Sequence, residues 1–129
     1  MTVRVILVNG PLPAGRPDCD SHGAGAVICF EGMVRPTEND RSIDALEYEA
    51  YEPMASKMLR RIGEEIARDF ELISICVEHS RGRVGVGQCS FRLRIAARHR
   101  NEGIAATGAF IDRLKEDVPI WKLPVWSEA

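Results

Sequence analysis

The sequence predicts an α+β fold, with a mixed or antiparallel sheet and two main helices. Two observations predict it. Apolar residues recur at helical spacing over two stretches, 53–70 and 99–116. The strand-like runs come in groups with no helix between them, in the order β-β-β-α-β-β-α-β. That order favours antiparallel pairing over a doubly wound parallel sheet. With 129 residues, 45% of them hydrophobic, the chain reads as one domain, 1–129, able to bury a core.

Residues 2–8, rich in Val, Ile and Leu, read as the first strand. Residues 9–23 hold three prolines among Gly, Asp and Ser, so they form a loop. Residues 24–34 read as a mostly buried strand, and 35–42, with Pro36 and Asn39-Asp40, as a turn. Over 43–51, Leu46, Tyr48 and Ala50 take one face while Glu47 and Glu49 take the other.

Pro53 opens the first helix at a position where proline is tolerated. Met54, Met58, Ile62 and Ile66 recur every four residues, opposite Arg60, Arg61, Glu64 and Glu65. Residues 72–78 form the next strand, and Gly82, Gly85 and Gly87 punctuate a turn region. Over 88–97, Cys89, Phe91, Leu93 and Ile95 point inward and Ser90, Arg92 and Arg94 outward. The second helix is expected to bury Ile104, Gly108, Ile111 and Leu114. Pro119 cannot continue that helix, so 118–129 is an extended C-terminal segment.

Charge and composition exclude several classes. Lys and Arg number 17 against 19 Asp and Glu, a net charge of −2, which argues against a general nucleic-acid binder. No long uncharged apolar run is present, so no membrane span is expected. The apolar stretch at the N-terminus is too short for a signal peptide, which places the protein in the cytoplasm. Cys19, Cys29, Cys76 and Cys89 form no C-x-x-C pair and match no zinc spacing. Cys29, Cys76 and Cys89 lie in apolar runs, where a free thiol behaves as a small hydrophobe. Cys19 with His22 reads either as two metal ligands or as part of a polar loop.

The chemistry concentrates at the two ends of the second helix. Lys115 lies in its last turn. Lys122 follows seven residues later, beyond Pro119 and Trp121, on a segment that turns back. Two ammonium groups so placed can face one small anionic ligand. At the other end stands His99-Arg100, where exposed backbone N–H groups favour anions and Arg adds a bidentate donor. The pair reads either as an anion site or as an exposed polar start to a helix. Arg100 and Lys115 are about 22 Å apart along a straight helix, so one chain cannot bring both to one small ligand. A symmetric dimer can.

Other constellations are weaker. Gly82–Gly87 has neither G-x-G-x-x-G spacing nor a phosphate-binding lysine and reads as a hairpin. His79 and Ser90 lack a nucleophile elbow, which leaves His79 as a structural residue at a strand end or a catalytic one. Glu47 and Glu49 read as a solvated strand face rather than a glycosidase pair.

Several linked motifs together resemble one family. They are Phe30-Glu31-Gly32-Met33-Val34-Arg35, Ala45–Tyr51 with Met54-Ala55, His79 with Gly82-Arg83, His99-Arg100, Asp112–Lys115 and Val118–Lys122. In this order and spacing they resemble the large, catalytic subunit of molybdopterin synthase, the MoaE family, from about Gly23 to Lys122. The resemblance implies an α/β hammerhead-type fold and a homodimer. Each large subunit would bind one small ubiquitin-like sulfur carrier, making a heterotetramer. The carrier's C-terminal Gly-Gly thiocarboxylate would thread into the active pocket, and the reaction would add two sulfurs to cyclic pyranopterin monophosphate, giving the dithiolene of molybdopterin.

By motif match, Lys115 and Lys122 become the catalytic lysines. Phe30, Met33, Val34, Arg35, His99 and Arg100 become substrate contacts, together with Leu123 and Pro124 after the second lysine. No metal or redox cofactor is required at this step. The chain departs from the family pattern at Met33, where a basic residue is frequent. It departs again at Ala97, in the stretch before His99 where a serine usually stands. Leu123 and Pro124 replace a basic residue and a carboxylate. The reading from a different class is a non-catalytic dimeric paralogue that binds the carrier or a pterin. A third is a small anion-binding regulatory domain.

Overall fold

A computed structural model describes residues 1–15 and 19–128. Residues 16–18 of the expected loop and residue 129 of the expected extended segment lie outside the described residues. The elements are β1 (Thr2–Asn9), β2 (Ala26–Met33), β3 (Thr37–Glu38), β4 (Arg41–Ala50), α1 (Met54–Asp69), β5 (Ser74–Gly85), β6 (Cys89–Ala97), α2 (Arg100–Asp117) and β7 (Ile120–Trp126). The expected mixed sheet with two helices is present. The one added element is β3, a two-residue strand paired with the start of β4. Asn39 and Asp40 turn between them with φ of 49° and 62°, a left-handed conformation that Asn and Asp tolerate.

All seven strands join one sheet, in the order β2-β6-β5-β4-β3, with β1 on β5 and β7 on β4. The β1–β5 pair is parallel and the rest are antiparallel. The strand β5 is longer than the sequence suggests. It runs on past residue 78, through the expected turn region, to Gly85. Gly82, at φ +79°, lets it bend there without ending.

The main core lies between the helices and the β1/β5/β6 part of the sheet. The α1 stripe buries Ile62 and Ile66 of the four-residue series, with Leu59 beside them, but Met54 stays exposed. Pro53 opens this helix as its N-cap, with its carbonyl accepting from Lys57 N at 3.1 Å, and the Glu52 carboxylate accepts from Ser56 N at 2.8 Å and Ser56 Oγ at 2.6 Å. A smaller cluster, with Val34, Ile43, Leu46 and Val84, fills the far side under β4 and β7.

The buried face of α2 differs in part from expectation. Ile111 and Leu114 pack against the core as expected, but Gly103, Ala106 and Phe110 are the buried residues, while Ile104 is 61% exposed and Gly108 is also exposed. Close approach decides this. A Cβ on Gly103 would meet Cδ1 of Ile28, so glycine here lets α2 settle on β2 and β6 without displacing the Ile28 side chain. Phe110 then stacks on Phe91, with ring centroids 6.5 Å apart.

The outward face of β6 is covered rather than solvated. Arg92 is buried because the loop after β1 folds across it, and Ser90 is buried against Tyr48 of β4. Arg92 Nη2 donates to Pro13 O and Arg94 Nη1 to Cys19 O, each at 2.9 Å. Arg92 also pairs with Glu31 and Glu78, so its charge is not left alone. A disulfide joins Cys19 of this loop to Cys76 of β5. Cys76 is therefore not a free thiol as expected; a contact across 57 residues leaves no mark in local spacing. Cys29 and Cys89 are free. Among the described residues no helix is long and apolar enough to cross a membrane.

Candidate functional site

The site follows from a change of partners along β5. Its first half, Ser74–His79, pairs with β6, and β1 runs beside it as far as Arg81. From Gly82 onward it pairs with β4. At this changeover lies a cavity of about 730 Å³, a size suited to a small-molecule ligand.

Five of the sequence-predicted residues meet there. Phe30 and Met33 come from β2, Arg35 from the chain just after it, Lys115 from the last turn of α2, and Lys122 from β7. Pro119 does what the sequence predicts. The helix ends at Asp117, and β7 returns antiparallel to β4, with Ile120 opposite Ala50 and Lys122 opposite Tyr48. The two lysines thereby reach one cavity from two elements. Lys115 and Arg35 make no ion pair among the described residues. Lys122 does, with Nζ 2.8 Å from Glu38 Oε1.

Five predicted contacts lie elsewhere. Val34 is buried in the smaller core cluster. Its backbone N–H donates to Gln88 O at 3.0 Å, and its carbonyl accepts from Gly87 N at 2.8 Å. Leu123 and Pro124 follow Lys122 along β7 and do not line the cavity. Leu123 is exposed beside Glu47, because successive strand residues point to opposite faces. His99 and Arg100 line a second cavity of about 680 Å³ with Gly25 and Arg98. It lies at the far end of α2, so one chain keeps the two cationic clusters apart as helix length requires.

The structure also brings in residues that the sequence did not assign to the site. Tyr48 and Ser90 share a hydrogen bond of 2.9 Å between their hydroxyls. His79 packs edge-on against Tyr48, with centroids 5.3 Å apart, and lies beside Phe91. Burial holds the His79 imidazole below its ordinary pKa, against a weaker opposite pull from the Ser80 carbonyl. The alternation of β4 puts Tyr48 on the inner face, but nothing local shows that His79 and Ser90 would meet it. Glu38 had no signal beyond lying near a turn. No group of three or more metal-ligating side chains occurs among the described residues.

The chain matches the family model described as MoaE protein over residues 13–117. It is 39% identical over 105 residues to the molybdopterin synthase catalytic subunit of Bacillus subtilis, covering 81% of this chain and 67% of that one. It is likewise 39% identical over 110 residues to the subunit of the same name from Nostoc, covering 84% and 67%. Among solved structures, that of molybdopterin synthase from Staphylococcus aureus superposes with a TM-score of 0.85 at 32% identity. The match covers 95% of this chain and 91% of that one.

Proposed function

The chain belongs to the MoaE family, and we propose that it is the catalytic subunit of a molybdopterin synthase, acting as a sulfurtransferase. Sulfur passes from the C-terminal thiocarboxylate of a small ubiquitin-like carrier to cyclic pyranopterin monophosphate, and the molybdopterin dithiolene forms. One observation carries this reading: Lys115, Lys122 and Arg35 reach a single cavity from three elements.

The chemistry suits that arrangement. Both reactants are anionic, one a phosphate ester and the other a thiocarboxylate. Opening the cyclic phosphate develops charge on oxygen, and prearranged cations stabilise such charge best where water is excluded. The apolar side chains of Phe30 and Met33 line the same space. The ammonium groups can also supply the protons that sulfur transfer requires. Lys115 and Lys122 take the catalytic roles, and Phe30, Met33 and Arg35 hold substrate.

His99 and Arg100 join the site across a two-fold interface, where the opposite end of the partner's α2 meets this cavity. The active assembly is then a homodimer with one carrier on each subunit, a heterotetramer acting in the cytoplasm. Mixing the purified chain with thiocarboxylated carrier and the cyclic precursor tests the proposal. Molybdopterin is the expected product. Binding of the carrier with no dithiolene formed would favour a non-catalytic paralogue.

A further inference from the structure

We propose that His79 is a positioning residue of this cavity, whose Nε2 accepts a hydrogen bond from an N–H group of a bound reactant. The inference rests on the function proposed above and adds a specific recognition role to it.

The tautomer follows from geometry. His79 Nδ1 lies 2.8 Å from Ser80 O. A carbonyl oxygen can only accept, so Nδ1 carries the hydrogen. A neutral imidazole has one N–H and one lone-pair nitrogen, which makes Nε2 the acceptor. The ring is buried against Tyr48 and Phe91, and burial favours the neutral form.

Nε2 is uncommitted. It has no hydrogen-bond partner among the described residues. Yet the buried side-chain polar atom left unpartnered there is Ser80 Oγ, not Nε2. Nε2 therefore keeps access to the cavity that its ring lines.

The other polar side chains around the cavity are less suited to this role. Arg35, Lys115 and Lys122 only donate. Glu31 is a charged acceptor already paired with Arg92, and the Tyr48 and Ser90 hydroxyls share one hydrogen, so each can accept but their pair also carries a donor. Nε2 of His79 is thus the neutral acceptor with no hydrogen of its own, beside three cations. Cations hold anionic groups but do not select among them. An acceptor at a fixed point selects a reactant that presents N–H there and discriminates against one that does not. Two reactants present N–H: the amides of the carrier's Gly-Gly tail and the pterin ring.

Two substitutions separate this role from a structural one. His79→Asn places an amide N–H near Nδ1 and keeps the bond to Ser80 O, but leaves nothing at Nε2. His79→Gln reaches the Nε2 position with a carbonyl oxygen. His79→Phe keeps the ring contacts and serves as a second variant without the acceptor. Steady-state turnover is measured against carrier and against precursor, with thermal melting of each variant. Asn and Phe are expected to raise KM for one of the two reactants about tenfold with kcat within about threefold, and Gln to restore most of the loss.

A raised KM for carrier identifies the tail amides as the donor, and a raised KM for precursor identifies the pterin. If folded Asn or Phe variants keep the wild-type KM for both, or if Gln is as impaired as Phe, the inference is overturned and the proposed function stands. If wild-type protein forms no molybdopterin, the function reading fails, and this inference fails with it.

Discussion

The Lys122 ammonium lies 2.8 Å from the Glu38 carboxylate, joining β7 to the two-residue strand β3 across 84 positions of sequence. One of the two proposed catalytic lysines is therefore held by a residue outside the cavity lining. Its Glu38 partner is the less exposed of the two side chains, at 16% against 53%. A half-exposed pair of this kind adds about 0–1 kcal/mol to stability, so its main effect is on where the ammonium sits. Glu38→Gln should leave the melting temperature nearly unchanged while lowering kcat about tenfold, because Lys122 loses its fixed position. Thermal melting and turnover of one preparation check both parts.

Lys115→Ala should lower molybdopterin formation at least about a hundredfold. The side chain is exposed at the end of α2 and makes no ion pair among the described residues, so the fold should not notice its loss. Circular dichroism and a precursor-conversion assay decide. Conversion at the wild-type rate would remove Lys115 from the mechanism.

The composite site makes a subunit-mixing prediction. Arg100→Ala and Lys115→Ala homodimers should each be inactive. After subunit exchange at equal ratio, about a quarter of wild-type activity should return: half the dimers are mixed, and each has one of its two sites with both clusters intact. With exchange verified by mass, activity that stays at the single-mutant level would show that the clusters do not meet across the interface.

Phe110 is fully buried and stacked on Phe91 under the cavity floor. Phe110→Ala should cost about 3–5 kcal/mol, the usual range for emptying an aromatic site in a core. Denaturant unfolding measures it. A loss below about 1 kcal/mol would mean that α2 does not pack as described.

The Glu65 carboxyl of α1 is held below its ordinary pKa, first by the hydrogen bond from Arg113 of α2 and then by Arg61. A depressed carboxylate stabilises the fold above its unfolded pKa, and that contribution is lost as pH falls through the folded pKa. Arg113→Gln should move the Glu65 titration up toward the ordinary carboxylate value. An NMR titration of the side-chain carboxyl reads this directly, and an unchanged midpoint would place the cause elsewhere.

Much of the fold was legible because its signals are local. Helix periodicity located α1, strand alternation located β4 and β6, and Pro119 ended α2 where expected. The two cationic clusters were equally visible, and helix length alone required them to be separate within one chain. The outward face of β6 was misread for the opposite reason. Arg92 and Arg94 look solvent-facing by alternation, but a loop from far back in the chain covers them. The α2 face was read correctly at Ile111 and Leu114, which pack against the core, and misread at Ile104 and Gly108 because side-chain size was taken to mark the core; the close approach to Ile28 puts Gly103 inward and Ile104 outward.

By itself, the sequence determined the type and order of the main elements and the positions of Lys115, Lys122, His99 and Arg100 on them. These depend on backbone propensity and on periods of a few residues, which neighbouring side chains encode. Only the tertiary structure decided that Lys122 would meet Glu38, that Cys19 would meet Cys76, and that Tyr48, His79 and Ser90 would surround one cavity. Those meetings are set by strand register and by where β5 changes partners, and both are fixed by packing between segments that lie tens of residues apart.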